Sequence, residues 1–289
     1  MDRFKIYLDT SAYNFLLKSY PTRKISRLIR NKFEVLFSSC NLDEFGIAGT
    51  PYSSILATFA WEITNQKKLL DHIELMVGEI LLELKKIECL SYYDETDIGF
   101  IPAWISMKDK LLPEIINQST SNDMYYAKTI FKDFEMNMRK TFHTFNIIEK
   151  KDSLRRWQLD LKEIERQKGF NNFLVTHLYN YYEDIRDLVT IEELLRINYK
   201  KLKATAVGLQ YYFALGFIHT HLTGKHSKPD FGDQIDFRHA YYAGIVDYFV
   251  TSDRQMLDIL NNYVLAEHCQ VFDTEAFAEN FLISGHQGT

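Results

Sequence analysis

Chain breakers are scarce in this sequence. It holds 12 glycines and 5 prolines in 289 residues, about half of ordinary usage. That scarcity excludes collagen-like and low-complexity architectures and points to a helix-rich chain. Cysteine is scarcer still. Cys40, Cys89 and Cys269 are far apart and odd in number. They form neither a disulfide framework nor a metal knuckle, and they fit a reducing, cytoplasmic setting. An excess of positive charge is missing too. The 34 cations and 39 acids leave a net charge of −5, which excludes a uniformly basic coat but not a local basic patch. No long run is free of polar groups. The most apolar stretch, 204–222, is interrupted by Gln210, His219 and His221 and reads as a buried helix, not a membrane span. The first apolar run carries Asp9 and no small-residue cleavage site, so no secretory signal is expected. No internal repeat is visible.

What is present is an ordinary globular composition, 46% apolar and 25% charged. The length allows about two domains, or one with a large insertion. FKIYL (4–8), FEVLF (33–37), YFV (248–250) and QVF (270–272) read as short strands. Each of the first three ends in a polar group: Asp9-Thr10-Ser11, Ser38-Ser39-Cys40-Asn41 and Thr251-Ser252-Asp253. Helices are expected after each of them, and over Gly232–Ala243. An i, i+3, i+4 apolar pattern from Gln66 to Lys86 predicts a further amphipathic helix. Strand–helix alternation at both ends of the chain implies an α/β fold with a small parallel sheet flanked by helices. From 93 to 203 the pattern is helical throughout. The expected organisation is therefore a core split between 1–92 and 204–289, with an all-helical insertion at 93–203.

Five acids fall where such a sheet places its ligands, outside the carboxyl ends of the strands. Asp9 ends the first strand and Asp253 follows a later one. Glu44 lies in the first turns of the helix after the second strand. Asp233 and Asp236 are three apart, so a helix puts them on one face. Taken alone, Asp9 reads as a helix cap, Glu44 as a solvated helix residue and Asp233 as an N-cap. Asp236 alone could pair with Arg238 or His239. Together these carboxylates repel one another unless a cation sits among them, and hard Mg²⁺ or Mn²⁺ suits an all-oxygen set. Asp247 precedes its strand and belongs at the other rim.

The segments KIYLDTS (5–11), VLFSSCNLDEF (35–45), DQIDFRHAYYA (233–243) and DYFVTSD (247–253) resemble the PIN-like domain family of metal-dependent nucleases. The likeness covers roughly 150 residues at the two ends of the chain; the middle does not match. The resemblance implies that Asp9, Glu44, Asp236 and Asp253 are the catalytic acids. It makes Asp233 an additional metal neighbour, and Thr251 and Ser38 supporting hydroxyls. It implies one or two Mg²⁺ or Mn²⁺ ions and a metal-activated water attacking a phosphodiester, with RNA as the expected partner. A DNA nuclease, and a non-catalytic scaffold binding RNA or a protein through the insertion, are the alternatives. A dehalogenase-like phosphatase needs a second Asp two residues after the first, where Ser11 stands.

A run of six cations without one acid, Lys18, Arg23, Lys24, Arg27, Arg30 and Lys32, is the candidate phosphate-backbone guide toward the acids. A solvated face explains it equally well. Aromatics within the mixed-charge stretch 139–168 could stack bases, although helical spacing favours a packing role for them.

Overall fold

Short aromatic and β-branched runs become strands because such side chains pack well on a pleated surface. In this computed structural model they are β1 (Phe4–Leu8), β2 (Phe33–Phe37), β3 (Thr64–Leu69), β4 (Tyr93–Asp94), β5 (Tyr248–Thr251) and β6 (Gln270–Asp273). Residues 3–47, 52–94, 169–172, 174–175, 183–218, 231–262, 264 and 268–283 are described. The sheet order is β4-β3-β2-β1-β5-β6. Five strands are parallel, and the two-residue β4 closes one edge antiparallel to β3. The order runs outward from β1 in both directions, so a topological switch point lies between β1 and β5.

Helices α1 (Thr10–Ser19), α2 (Thr22–Lys32), α3 (Ser39–Ile47), α4 (Tyr52–Ile63) and α5 (His72–Glu83) belong to the first half. Then come α6 (Glu183–Arg186), α7 (Ile191–Arg196), α8 (Lys203–Phe217), α9 (Phe231–Ala240), α10 (Arg254–Asn262) and α11 (Thr274–Phe277). The two faces of the sheet carry separate cores, as the period-2 alternation of a strand requires. Ile6 and Leu8 face Leu16, Ile29, Phe45 and Phe59 on one side. Tyr7 and Phe249 face Leu209, Tyr212 and Tyr242 on the other. Each fully buried side chain of this size contributes about 1.5–3 kcal/mol. Helix α8 packs closely on the 3₁₀ turn Tyr241–Gly244 because Gly208 has no side chain: a Cβ there would meet the Tyr241 ring at 2.3 Å.

One element departs from its sequence pattern. Helical spacing assigns a helix from Gln66, but Thr64–Leu69 is a strand and the helix starts at His72. The sequence TNQKKL has little strand preference of its own; parallel pairing to β2 imposes the conformation. The helix begins at Asp71, whose side chain accepts the Ile73 N–H while Glu74 reaches back to the Asp71 N–H. Tyr93–Asp94 is likewise a strand, although the pattern assigned it to the helical insertion. Of that insertion, 95–168 lies outside the described residues, as do His219 and His221. Among the described residues no helix is long and apolar enough to cross a membrane.

Candidate functional site

The carboxyl rim at the switch point carries the acids. Asp9 closes β1 and caps α1. Its carboxylate accepts the Ala12 N–H at 2.7 Å, the Ser11 hydroxyl at 2.8 Å and the Thr251 hydroxyl at 2.5 Å. Thr251 thus ties the end of β5 to the end of β1. Asp253 caps α10 through the Met256 N–H, 2.8 Å away. Asp233, in the first turn of α9, accepts from the Gln255 side chain at 3.1 Å. Asp247 sits at the opposite rim, bonded to the Lys5 N–H of β1.

Asp236 differs from these. Among the described residues it has no hydrogen-bond or ion-pair partner; neither Arg238 nor His239 pairs with it. Burial first, and then the Asp253, Asp9 and Glu44 carboxylates, push its carboxyl up to about 8. Like charges nearby disfavour ionisation, and burial strengthens that effect. Asp9 is pushed up to about 6, chiefly by burial, with His239, Thr251 and the Ala12 N–H working against it.

Glu44 is placed near this group but is engaged elsewhere. Its Oε2 lies 2.6 Å from His239 Nε2. Burial opposes its charge, yet His239 outweighs burial and lowers the carboxyl below its ordinary value. Burial also works against the charged His239 ring, but Cys40 and Glu44 raise it well above the usual imidazole range. A charged ring donates from both nitrogens. Its Nδ1 then donates to the Tyr7 hydroxyl at 2.7 Å, Tyr7 to Ser38 Oγ at 2.6 Å, and Ser38 to Asn41 Oδ1 at 3.3 Å. Asn41 ends the chain on the Leu8 carbonyl, one residue from Asp9. Ser38 therefore acts three bonds away from Glu44, not at the acids.

Two features of the site carried no signal in the sequence. Tyr211, on α8, is fully buried and its hydroxyl has no partner among the described residues. Burial, followed by Asp236, Asp253, Asp233 and Asp9, raises its phenol well above the ordinary value. The hydroxyl is thus an uncommitted donor within the electrostatic reach of all four Asp residues. The second feature is Asp71, just past β3 at the same rim. It holds Ser39 Oγ at 3.0 Å and Arg238 Nη2 at 3.4 Å, with His72 against it. Burial alone would raise its carboxyl, but His72 and Arg238 hold it well below the usual range. Helical periodicity absorbed Asp71 into a longer helix and so hid it.

The basic run is not beside the acids. Arg23, Lys24, Arg27, Arg30 and Lys32 are exposed on α2, and Lys18 lies over the Tyr52 ring. The last turn of α2 leads straight into Phe33, which pairs with Phe4 at the amino rim. Arg3 Nη1 bonds the Arg30 carbonyl there, and Lys32 Nζ bonds the Phe281 carbonyl. β1 separates that end of the helix from Asp9 by about 17 Å, at roughly 3.3 Å per residue.

The donors around Asp236 are all oxygens, the set that suits a hard divalent ion. Among the described residues, however, no three His, Cys, Asp or Glu side chains stand as a ready metal group. Glu44 is turned to His239, and Asp9 is held by its hydroxyls and the helix N-terminus. No family model, curated protein or solved structure matches the chain.

Proposed function

We propose that this chain is a PIN-like, divalent-metal-dependent ribonuclease that works at the Asp9–Asp236–Asp253 rim. One observation carries the reading. Asp236 is a partly buried carboxylate without a partner among the described residues, and three other acids raise it. A purely structural site has no reason to retain that repulsion. Asp236, Asp253 and Asp9 would hold Mg²⁺ or Mn²⁺, with Asp233 beside them. Glu44, kept by His239, would act through a bound water. The ion supplies a water of lowered pKa and positive charge against the phosphodiester.

The chain's own groups do the positioning. Thr251 and Ser11 hold the Asp9 carboxylate in one orientation. The charged His239 fixes Glu44 and passes its second hydrogen bond inward to Tyr7. Tyr211 offers its hydroxyl to a water or a phosphate oxygen at the site.

A second reading has its own observation. Asp9 and Glu44 already have protein partners, as in a PIN-like scaffold that binds RNA or protein without cutting. Incubation with labelled single-stranded RNA and DNA, in Mn²⁺, Mg²⁺ or EDTA, separates the two. Metal-dependent RNA cleavage that disappears in Asp9→Asn and Asp236→Asn is the expected outcome. Cleavage of DNA alone keeps the mechanism and changes the substrate. Absence of cleavage together with absence of Mn²⁺ binding by calorimetry selects the scaffold.

A further inference from the structure

We propose that the outer face of α2, continued by Arg3 and Phe4, is a second RNA-binding surface, separate from the acid cleft. It would take the phosphate backbone of a single strand. The proposal rests on the ribonuclease reading above for its choice of ligand, and on independent observations for its location.

The charge on this helix is segregated. In a chain with more acids than cations, the segment from Lys18 to Lys32 holds six cations and no acid. A solvated face ordinarily mixes both signs. The apolar face of the helix is fully used, with Ile25, Leu28 and Ile29 buried against the sheet and α4. The cations are therefore not needed to orient it. Arg23, Arg27 and Arg30 recur at i, i+4 and i+7, which makes one stripe about 10 Å long at 1.5 Å per residue. Lys24 and Lys32 flank it. Arg3, bonded to the Arg30 carbonyl, extends the stripe at the amino rim. Glu62, which touches the helix, accepts from Ser26 and not from a cation.

An aromatic stands at the end of the stripe. Phe4 is 56% exposed, and its ring leans on Tyr248 at 5.3 Å. A row of cations with an exposed ring is the arrangement that holds single strands, the charges tracking phosphates and the ring stacking a base. A single strand of RNA offers both partners along its whole length, a phosphate for each cation and a planar base for the ring, so RNA is favoured.

The separation of the two sites makes a length requirement. A strand must cross about 17 Å from the acid rim to the end of α2. At roughly 3.4 Å per stacked nucleotide that is about five nucleotides, more over a curved surface. RNA shorter than this engages only the cleft.

The test uses the full chain carrying Asp236→Asn, so that RNA survives the measurement, with and without Arg23→Ala, Arg27→Ala and Arg30→Ala together. Binding of a long oligouridine is followed by anisotropy across a salt series. These exposed changes leave the fold intact, which circular dichroism checks. The expected result is affinity weaker by on the order of tenfold or more. The slope of log K against log salt falls by about two, near 0.7 per lost phosphate contact. Phe4→Ala weakens binding with no change in slope. With the acids restored, the triple variant cleaves a tetranucleotide like the wild type but cuts long RNA more slowly at low concentration. Unchanged affinity and slope would overturn the proposal and assign the face to an acidic protein. RNA held by α2 but not cut in Mn²⁺ would refute the nuclease reading while leaving this surface standing.

Discussion

Two carboxylates lie against helix α8, Glu79 buried and Asp236 partly buried, and burial raises both. Glu79, from α5, meets the first turn of that helix. It accepts the Ala204 N–H at 2.8 Å, the Thr205 N–H at 2.9 Å and the Thr205 hydroxyl at 2.7 Å. These donors pull its carboxyl back toward the ordinary value, and the helix N-terminus favours its charge. Asp236 meets the other part of α8, near Tyr211, where three more acids raise it and no hydrogen bond from the described residues reaches it. The contrast separates a carboxylate satisfied within the fold from one that, on the reading proposed above, waits for a ligand. The first is satisfied by three donors of the protein, and the second has no such partner among the described residues.

The largest effect should come from Asp236→Asn. RNA cleavage is expected to fall by on the order of 1,000-fold, about 4 kcal/mol of barrier, while the protein stays folded. Retained cleavage would place the chemistry elsewhere. Glu79→Ala should do the reverse. It leaves three donors unpaired in the core and costs about 3 kcal/mol in urea unfolding, with unchanged cleavage per folded molecule. An activity loss in this variant that outlasts correction for the folded fraction would break the comparison.

The pH dependence sharpens it. The Asp236 carboxyl is raised to about 8, against about 4 in an unfolded chain. The contribution of the protonated form to stability is therefore full below pH 4 and is lost as pH rises toward 8. Metal-free protein should lose about 1–2 kcal/mol across that window, the figure being reduced for Asp236's partial exposure. Asp236→Asn should flatten the decline and be the more stable protein at pH 7, and Mn²⁺ should offset the decline in the wild type alone. Equal melting curves for both proteins at pH 5 and pH 8 would remove this argument for repulsion. The smallest effect is expected from Tyr211→Phe. Stability is unchanged or slightly higher, because an unpartnered buried hydroxyl is removed. Cleavage should fall about tenfold in kcat with KM unmoved. A shift in KM alone would make Tyr211 a binding contact.

Much of the fold was legible because its cause is local. β1, β2 and β5 are apolar runs that end in polar caps, and the rim acids follow from where those strands stop. β3 was not legible. Its residues are polar, and only the neighbouring β2 makes them a strand. The exclusion of Asp247 held for the same local reason, since an acid before a strand lies at the opposite end from one after it. The partner of Glu44 was not readable. His239 is 195 positions away, and nothing in spacing says which of several nearby acids an imidazole meets.

By itself, the sequence determined the alternation of strands and helices, the placing of Asp9, Asp236 and Asp253 toward one rim, and the segregation of cations on α2. Periodicity and chain order set these properties, and both are one-dimensional. The tertiary structure alone decided that Asp236 has no partner among the described residues while Glu44 does. It alone turned Tyr211 from an apolar helix toward the acids, and put the cations at the far rim. Such outcomes depend on which distant segments share a pocket and how deeply it is buried, and burial sets the cost of a charge or an unpaired hydroxyl.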